Sequence, residues 1–293
     1  KVYILEEALY SDRSEADLAA SLERIMAELA QPAVDEFSPL ELSSLNFQSH
    51  IEQAAFEKMV EEARSLIRQG DMFQCVLSQR FSAEYSDRPL DYYRNLRVTN
   101  PSNYLYFYDF GDYQIIGASP ESLVSVKQEQ VTTNPIAGTR PRGKDEREDK
   151  ALAKELLADE KEVAEHRMLV DLGRNDIGKI AQNNSVEITK YMEVEYFRYV
   201  MHLTSVVRGQ LLPQLTAMDA LKSTLPAGTV SGAPKIRAMK RIYELEQEKR
   251  GVYAGAIGYL SVTGDMDFAI AIRTMILKNG RAYVQAGAGI VYD

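Results

Sequence analysis

Two segments of the sequence, one basic and one acidic, could together hold a small carboxylate ligand. Residues 135–143 read PIAGTRPRG, a glycine-threonine turn followed by Arg140 and Arg142, which could bind an anion. Glu162 and Glu165 follow on a predicted helix, where a spacing of three residues places their carboxylates on one face. Such oxygen ligands suit Mg²⁺, which often takes one or two carboxylates and keeps waters that a substrate can displace. A solvated acidic helix face is the alternative interpretation.

A second loop, residues 228–235, combines small residues with the start of a helix. Its sequence GTVSGAPK lacks the Walker A spacing, because Ile236 stands where a Mg²⁺-binding hydroxyl would be, and it is not a Gly-x-Ser-x-Gly elbow. The N–H groups at the helix start could still meet an anion, and a tight turn packed in the core is equally consistent. Residues 287–289 (GAG) follow a strand but lack the third glycine and the helix of a dinucleotide-binding fingerprint, so NAD binding is not expected.

Arg273 and His202 are polar residues inside apolar runs. The run 268–277 predicts that Arg273 is buried, so that it faces either a carboxylate side chain or a carboxylate ligand. His202 lies in the predicted strand 199–205, where a lone histidine is usually a core residue with its hydrogen bonds satisfied. The residues alone therefore indicate an α+β enzyme with an anion site and a metal site.

Sequence periodicity predicts the elements that must position these side chains. One helix is predicted from a capping box at Ser49 to a stop at Gly70, a long one over residues 149–172, and a third from residues 231–234 to about Gly251. The predicted strands are 73–81, 104–110, 113–118, 123–126, 131–136, 253–262, 268–277 and 282–286.

The order of these elements favours an α+β fold. Strands gather towards both ends with helices between them, which predicts a layered sandwich of antiparallel or mixed sheets with flanking helices. No Pro/Gly/Ser-rich linker divides the sequence, so one domain over residues 1–293 is expected. The chain begins at Lys1 and stops directly after a strand-like run, so both ends are expected to be cut.

Composition excludes several classes of protein. An apolar content of 45% with 26% charged residues over 293 residues is ordinary for a globular enzyme. The net charge of −9 argues against nucleic acid or an anionic membrane surface as the main partner. Cys75 is the single cysteine, which excludes an internal disulfide and favours a reducing compartment, the cytoplasm. No apolar run approaches the ~18 residues of a membrane-spanning helix.

Taken in order, these segments resemble the chorismate-utilising enzymes, most closely component I of anthranilate synthase. The resemblance runs from about residue 73 to the last residue, and so many ordered blocks are highly specific for the superfamily. It implies the chorismate-binding enzyme fold in a single catalytic domain. The blocks are 73–80, 117–122, 136–143, 165–176, 228–235, 253–259 and 285–289.

The resemblance implies chemistry on chorismate, a cyclohexadiene with two carboxylates and a C4 hydroxyl that leaves as a nucleophile adds. It implies that Glu162 and Glu165 hold Mg²⁺, which grips the ring carboxylate and draws electron density from the ring. Glu121 would protonate the departing hydroxyl, a general-acid role that needs a raised pKa. His202 matches the family histidine tied to the second step, the loss of the C2 proton and pyruvate, with its own role unassigned.

The remaining substrate contacts also follow from the resemblance. Arg273 and Tyr253 would hold the enolpyruvyl carboxylate. Thr139 and the backbone of Gly287 and Gly289 would help to place the substrate.

Two positions bear on the choice of nucleophile. Relatives that add water carry a lysine where this chain has Gln74, and a glutamine cannot accept the proton from water. Ammonia is nucleophilic without that help, so Gln74 favours an amine-adding enzyme. Aminodeoxychorismate synthases commonly carry a lysine at Ala137, whose amine attacks the ring covalently. Alanine offers no such nucleophile, so direct attack of ammonia at C2 is expected.

The implied reaction is the conversion of chorismate and ammonia to anthranilate, pyruvate and water, in tryptophan biosynthesis. Ammonia would come from a glutamine amidotransferase subunit, because nothing in the chain resembles the Cys-His-Glu machinery of an amidotransferase and Cys75 adjoins Gln74 on the synthase strand. A hetero-oligomer is therefore expected, with neither nucleic acid nor membrane as a partner.

Two alternatives stay open. Component I of aminodeoxychorismate synthase, in folate synthesis, is the nearest, since not every member uses the lysine. A catalytically incomplete fragment that binds chorismate or an amidotransferase is the alternative of another class. Family members continue past position 293 into a helix with further Mg²⁺-binding glutamates, and most of the tryptophan feedback site lies upstream, which would make residues 1–48 a remnant. Residues 100–104 also have Asn103 where a second proline is usual.

Overall fold

The structure is a computed structural model that describes residues 12–31, 45–246 and 248–292. The chain divides into two compact units, residues 1–41 and 42–293. In the first, the helix α1 (Glu15–Ala30) begins at a capping box in which Ser14 and Asp17 bond each other's backbone N–H. The expectation of a single domain stays a prediction, and much of the expected remnant 1–48 lies outside the described residues.

In the second unit, the described residues form two seven-stranded sheets, and each strand pair is antiparallel. The first sheet contains Gln74, at the start of one of its two longest strands. Across the sheet its strands are β1 (Gln48–Ser49), β2 (Gln74–Glu84), β14 (Arg281–Ile290), β13 (Thr274–Lys278), β4 (Tyr113–Ser119) and β3 (Tyr104–Asp109), with β10 (Gly232–Ala233) also paired to β2.

The second sheet contains the predicted basic turn and His202. Across it lie β11 (Ala256–Leu260), β12 (Met266–Ile270), β5 (Ser122–Lys127), β6 (Gln130–Thr133), β9 (Val200–Gln210) and β7 (Ile136–Pro141), with β8 (Glu187–Tyr196) also on β9. β6 and β7 pair successive parts of β9, so the predicted strand 131–136 is really two strands. The break falls at Asn134 and Pro135, where proline has no N–H to donate.

Helices cover these sheets. They are α2 (Gln53–Arg68), α3 (Pro89–Thr99), α4 (Glu146–Ala158), α5 (Glu160–Gly178), α6 (Ala217–Thr224) and α7 (Lys235–Leu245), with a 3₁₀ turn at Gly228–Val230. Among the described residues, none of the helices is both long and apolar enough to cross a membrane.

Separate cores fasten helices to each sheet. Val170 and Ile177 of α5 pack with Val124 and Val207 of the second sheet, whereas α2, α7, β2 and β14 share another core. Each fully buried aliphatic side chain contributes about 1.5–3 kcal/mol. The sheets are joined through β3, where Tyr104 donates a hydrogen bond to Asp267 of β12. The predicted α+β layered sandwich with flanking helices is therefore confirmed.

The predicted capping box at Ser49 is wrong. Ser49 lies in β1, and its hydroxyl bonds the backbone of Ile51 and the side chain of Gln79. The helix α2 instead begins at Gln53 without a side-chain cap. Its predicted stop is confirmed, since Gly70 directly follows the C-cap with a φ of +78°.

The strands predicted over 73–81, 253–262 and 282–286 are Gln74–Glu84, Ala256–Leu260 and Arg281–Ile290 in the structure. Three further predicted elements differ in ways that affect the site. The long helix is interrupted at Asp159, an extended residue that ends α4 and caps α5. The apolar run 268–277 divides into β12 and β13, and Arg273 between them has a φ of +50°. The helix α7 ends at Leu245, well before Gly251.

Candidate active site

The arginines of the basic turn are bound by carboxylates of the protein. Arg140 donates to Asp159 Oδ2 at 2.7 Å and to Glu155 Oε1 at 2.9 Å. Arg142 forms a fork on Asp149, with Nη2 2.5 Å from Oδ2. These hydrogen bonds raise the pKa of both guanidinium groups. The expectation that this turn offers its arginines to an anionic ligand is therefore wrong, because they fasten β7 to α4 and to the start of α5.

Glu162 and Glu165 project from the first turns of α5, which begins there because Asp159 accepts backbone N–H groups at the helix start. Glu162 Oε1 lies 3.6 Å from Arg140 Nη1, and Glu165 Oε1 accepts a hydrogen bond from Gln74 Nε2 at 3.3 Å. Arg140, the cation beside Glu162, also bonds Glu155 and Asp159, whereas the Glu165 carboxylate contacts the neutral amide of Gln74. This donor set fits Mg²⁺ with waters completing the shell. The described part of the chain holds no larger cluster of His, Cys, Asp and Glu side chains able to cage a metal.

Gln74 is buried at the start of β2, with 3% of its surface exposed. Its Nε2 bonds Glu165, whereas its Oε1 has no hydrogen-bond partner among the described residues. An unpaired buried carbonyl oxygen is unfavourable by about 1–3 kcal/mol, so this atom is a candidate acceptor for an N–H of a ligand. Gly289 of β14 lies against the same amide: a Cβ at that position would be 2.8 Å from Gln74 Nε2.

Thr139 and His202 stand opposite each other on β7 and β9. His202 Nδ1 lies 3.0 Å from Thr139 Oγ1 and 3.0 Å from the Gly138 carbonyl oxygen. A carbonyl can only accept, so this network assigns the proton to Nδ1 and leaves Nε2 as the basic nitrogen. Gly138 occupies a β-bulge with a φ of +70°, and a Cβ there would lie 3.3 Å from Glu162 Oε2. The turn therefore also approaches the carboxylate pair.

Glu121 lies between β4 and β5 and accepts a hydrogen bond from Thr229 Oγ1 at 2.9 Å. Burial raises the pKa of Glu121 to about 7, against smaller lowering effects of the Thr229 bond and the Arg273 charge. The carboxyl borders a largely apolar cavity that Leu169 and Asp176 also line. A carboxylic acid that keeps its proton near neutral pH can act as a general acid.

Arg273 is exposed, so the prediction that it is buried is wrong. The apolar run is interrupted at this residue, whose backbone is left-handed and whose carbonyl accepts the Ala118 N–H at 3.2 Å. Within the described residues its side chain makes no ion pair, although its charge acts on Glu121. The structural ion pair considered from the sequence is thus not found, and the guanidinium group is available to an anion.

Tyr253 is half-buried beside β14. A Cβ at Gly287 would lie 2.6 Å from the Tyr253 hydroxyl oxygen, so a larger residue could not sit there without displacement. Burial raises the pKa of Tyr253, which keeps the phenol protonated and able to donate. The guanidinium group of Arg250 covers the ring, with 5.6 Å between Cζ and the ring centroid.

Most of the site residues expected from the sequence are joined by contacts into three groups. The first two groups meet on α5, because Glu162 and Glu165 are one turn apart. No direct contact links Tyr253 and Arg273, so their shared role at one carboxylate stays a prediction. The groups are Gln74, Glu165 and Gly289; Glu162, Gly138, Thr139 and His202; and Glu121 with Thr229, on which Arg273 acts through its charge alone. Tyr253 and Gly287 form a separate contact, with Gly287 two residues before Gly289 on β14.

Two residues with contacts to these groups were missed by sequence reasoning. Thr229 lies in the loop 228–235 that the sequence singled out, but a bond to a carboxyl 108 positions away leaves no local signal. Arg250 precedes Gly251 in an unremarkable stretch of mixed charge, residues 244–250, yet it bonds both β2 and that loop.

Comparison with known proteins decides the family. The family model described as chorismate binding enzyme matches residues 1–293. The chain belongs to the chorismate-binding enzyme family. The family predicted from the sequence is thereby confirmed.

Named relatives of this chorismate-binding enzyme include anthranilate synthase component 1 of Lactococcus lactis, 58% identical over 293 residues that make up 100% of this chain and 64% of that protein. A crystal structure of anthranilate synthase component I from Streptococcus pneumoniae is 74% identical with a TM-score of 0.94, over 100% of this chain and 65% of that one. The menaquinone-specific isochorismate synthase of Escherichia coli shares the fold, at 23% identity and a TM-score of 0.78, over 94% of this chain and 63% of that one. The chain thus spans just under two thirds of the length of these relatives.

Proposed function

We propose that this chain carries the synthase chemistry of anthranilate synthase component I, converting chorismate and ammonia to anthranilate, pyruvate and water. The proposal rests on the environment of Gln74, whose buried amide bonds Glu165 and leaves Oε1 unpaired. A relative that adds water would carry a lysine at this position. The similarity to the Lactococcus and Streptococcus proteins named above supports the same choice.

Glu162 and Glu165 would hold Mg²⁺. When bound, the ion supplies Lewis-acid polarisation of a substrate carboxylate. The protein's own contribution is to present both carboxylates from one helix face and to hold Glu165 through the Gln74 bond.

Glu121 would protonate the C4 hydroxyl as it leaves. Thr229 donates to Oε1, so the transferable proton belongs on Oε2. With a pKa of about 7, the carboxyl is still substantially protonated at neutral pH, and it is a stronger acid than a tyrosine or lysine in the same place.

Gln74 would orient the nucleophile without deprotonating it. Its free Oε1 can accept one N–H of ammonia, while the nitrogen lone pair points at C2 of the ring. Ala137 on β7 has no amine, so nitrogen reaches the ring only as ammonia. His202 belongs to the second step, in which the C2 proton and pyruvate are lost, and it presents a basic Nε2 there.

The ammonia would come from a glutamine amidotransferase partner in the cytoplasm. Cys75 does not suit the chemistry of glutamine hydrolysis, because burial raises the pKa of its thiol to about 12 and the nucleophile in such enzymes is a thiolate. The remaining substrate contacts are proposed as well: Arg273 and Tyr253 at the enolpyruvyl carboxylate, and Thr139, Gly287 and Gly289 around the ring.

The test is to mix the protein with chorismate, Mg²⁺ and excess ammonium salt at alkaline pH and to follow anthranilate fluorescence. Product that disappears with EDTA and returns with Mg²⁺ supports the reaction and the metal together. An amino-cyclohexadiene detected by mass spectrometry, without fluorescence, would move the assignment to aminodeoxychorismate synthesis. Chorismate left intact would contradict the proposed function.

A further inference from the structure

Arg250 lies at the junction of three segments that carry candidate site residues. Its Nε and Nη2 fork onto the carboxylate of Glu246 at 2.8 and 2.7 Å. Nη1 donates to the Val230 carbonyl and Nη2 to the Val76 carbonyl, both at 2.6 Å. Its side chain is only 16% exposed, so these bonds are shielded from water and correspondingly strong.

Each of these carbonyls is close in sequence to a residue of the site. Val230 follows Thr229, the hydroxyl donor to Glu121. Val76 is two residues from Gln74 on β2, and its own N–H bonds Ser231 of the same loop. The guanidinium group therefore fastens the loop 228–233 to β2 between the proposed proton donor and the proposed nucleophile site.

The third segment is Tyr253. Its ring lies under the Arg250 guanidinium group at a cation–π distance, and its hydroxyl lies close to Gly287 of β14, where a Cβ would be 2.6 Å away. Glu246 completes the junction, since its Oε1 also accepts from the N–H and hydroxyl of Ser78, at 2.8 and 2.9 Å. The carboxylate thus locks Arg250 to β2 in a single orientation.

We propose that Arg250 is a positioning residue, which assembles the chorismate pocket by holding the Thr229 loop, β2 and the Tyr253 ring in one arrangement. It touches no reacting atom, and its role rests on the proposed function. Lysine could not replace it, because one ammonium group cannot bond a carboxylate with a fork and reach two carbonyls in different directions.

The test compares Arg250→Met and Arg250→Lys with Thr229→Val and with a matched control, Arg241→Met. Arg241 also bonds two carboxylates, those of Asp71 and Glu244, but makes none of the contacts by which Arg250 reaches Val76, Val230 and Tyr253. Both Arg250 variants should lower kcat/KM with ammonium by on the order of 10²-fold, as small displacements of positioned groups do. The chorismate KM should rise with the loss of the Tyr253 contact, while the control keeps wild-type kinetics.

A second measurement does not need turnover. In protein labelled with ¹³C at the glutamate carboxyl carbons, the Glu121 signal is assigned by its loss in Glu121→Gln and titrated. Loss of the Thr229 bond should raise the pKa of Glu121 in Thr229→Val and in the Arg250 variants, and leave it unchanged in Arg241→Met. Arg273, whose charge also acts on Glu121, is retained in every variant.

The outcomes separate the two proposals. Wild-type protein that makes no product, together with the expected Glu121 shifts, would remove the proposed function and leave the positioning role. An active wild type, with Arg250 variants that match Arg241→Met in kinetics and in the Glu121 titration, would overturn the positioning role. If Arg250→Met does not fold, Arg250→Lys and Glu246→Gln, which keep the volume of the junction, decide between these results.

Discussion

At the scale of single residues, Glu121 shows how burial that suits catalysis weakens the fold. The folded protein binds the proton of the Glu121 carboxyl more tightly than the unfolded chain does. Protonation of Glu121 therefore stabilises the fold fully below the ordinary pKa of 4.5, and this stabilisation is lost as pH rises through about 7. Above that pH the ionised carboxyl lowers the free energy of unfolding by at most about 3 kcal/mol.

Glu121→Gln should therefore inactivate and stabilise at once. We expect kcat to fall by on the order of 10²–10⁴-fold, because the general acid is lost. We also expect the melting temperature to exceed that of wild type at pH 8.5 and to match it near pH 4, as measured by thermal unfolding at both values. Glu57→Gln, an exposed change on α2, is the control. A Glu121→Gln protein no more stable at pH 8.5 than this control would contradict the burial argument.

The metal pair leads to a second prediction. Glu165→Gln keeps the side-chain volume but removes one of two carboxylates, so binding of Mn²⁺ as a probe for Mg²⁺ should weaken by at least on the order of 10²-fold. Titration followed by electron paramagnetic resonance measures this without turnover. Glu160→Gln, an exposed carboxylate on the same helix, should bind as wild type does. Equal binding by all three proteins would exclude Glu165 as a ligand.

Nucleophile choice can be tested at Gln74. In Gln74→Lys, the lysine amine can act as a general base that takes the proton from water. Because a general base contributes at least on the order of 10²-fold in rate, formation of isochorismate or salicylate should increase by about that factor over the wild-type background. Products are identified by chromatography with ammonium absent and present. Gln79→Lys places the same change further along β2, at a side chain that bonds Ser49, and should give only the wild-type product. Without any hydroxylated product, selection of the nucleophile must lie elsewhere.

At the scale of elements, the pairing of β2 with β14 sets how closely the β14 backbone approaches Gln74. Gly289 faces Gln74, and Gly287 faces Tyr253. A Cβ at Gly289 would lie 2.8 Å from Gln74 Nε2, and a Cβ at Gly287 would lie 2.6 Å from the Tyr253 hydroxyl oxygen. Such separations are below any ordinary carbon contact, so alanine at either position must displace the facing side chain.

Gly289→Ala and Gly287→Ala should each lower kcat/KM by on the order of 10²-fold through that displacement. The melting temperature should change little, because both positions are exposed and neither glycine has a left-handed φ. Steady-state kinetics and thermal unfolding measure the two effects. Gly178→Ala, at the end of α5 with open space around it, is the control and should be neutral in both. Wild-type kinetics in Gly289→Ala would show that Gln74 need not occupy its present position.

Sequence reasoning found elements where local periodicity decides the structure and failed where a single residue overrides it. The helical face with Glu162 and Glu165 was predicted because i, i+3 spacing is local. The break at Asp159 was missed, since the apolar pattern continues across it while the aspartate prefers to cap. Arg273 was expected in the core because its neighbours are apolar, and only the tertiary structure shows the left-handed backbone that turns it outward. The Thr229 bond to Glu121 joins distant segments, which spacing cannot reveal.

At the scale of the whole molecule, the proposed function divides the chemistry between this chain and a partner. Under that proposal the carboxylate pair, the buried amide and the proton donor all serve addition to and elimination from a ring. Cys75, which a glutamine-hydrolysing site would need as a thiolate, is instead enclosed between α2, α7 and β14 in the core of the first sheet. A net charge of −9 adds no general attraction for an anionic ligand, so under the proposed function local groups such as Arg273 would hold chorismate.

This division predicts how the isolated chain responds to its nitrogen source and to thiol chemistry. Ammonium salts should support anthranilate formation, whereas glutamine should not until a glutamine amidotransferase is added. Cys75→Ala should keep the ammonium-dependent rate, at a loss of about 1 kcal/mol in the free energy of unfolding. Iodoacetamide should not inactivate the native protein, because the buried thiol is neither accessible nor ionised at pH 8. Fluorescence assays with each nitrogen source, before and after alkylation, measure all of these responses. Glutamine-dependent product that disappears in Cys75→Ala would place amide hydrolysis in this chain and contradict the assignment of that step to a partner.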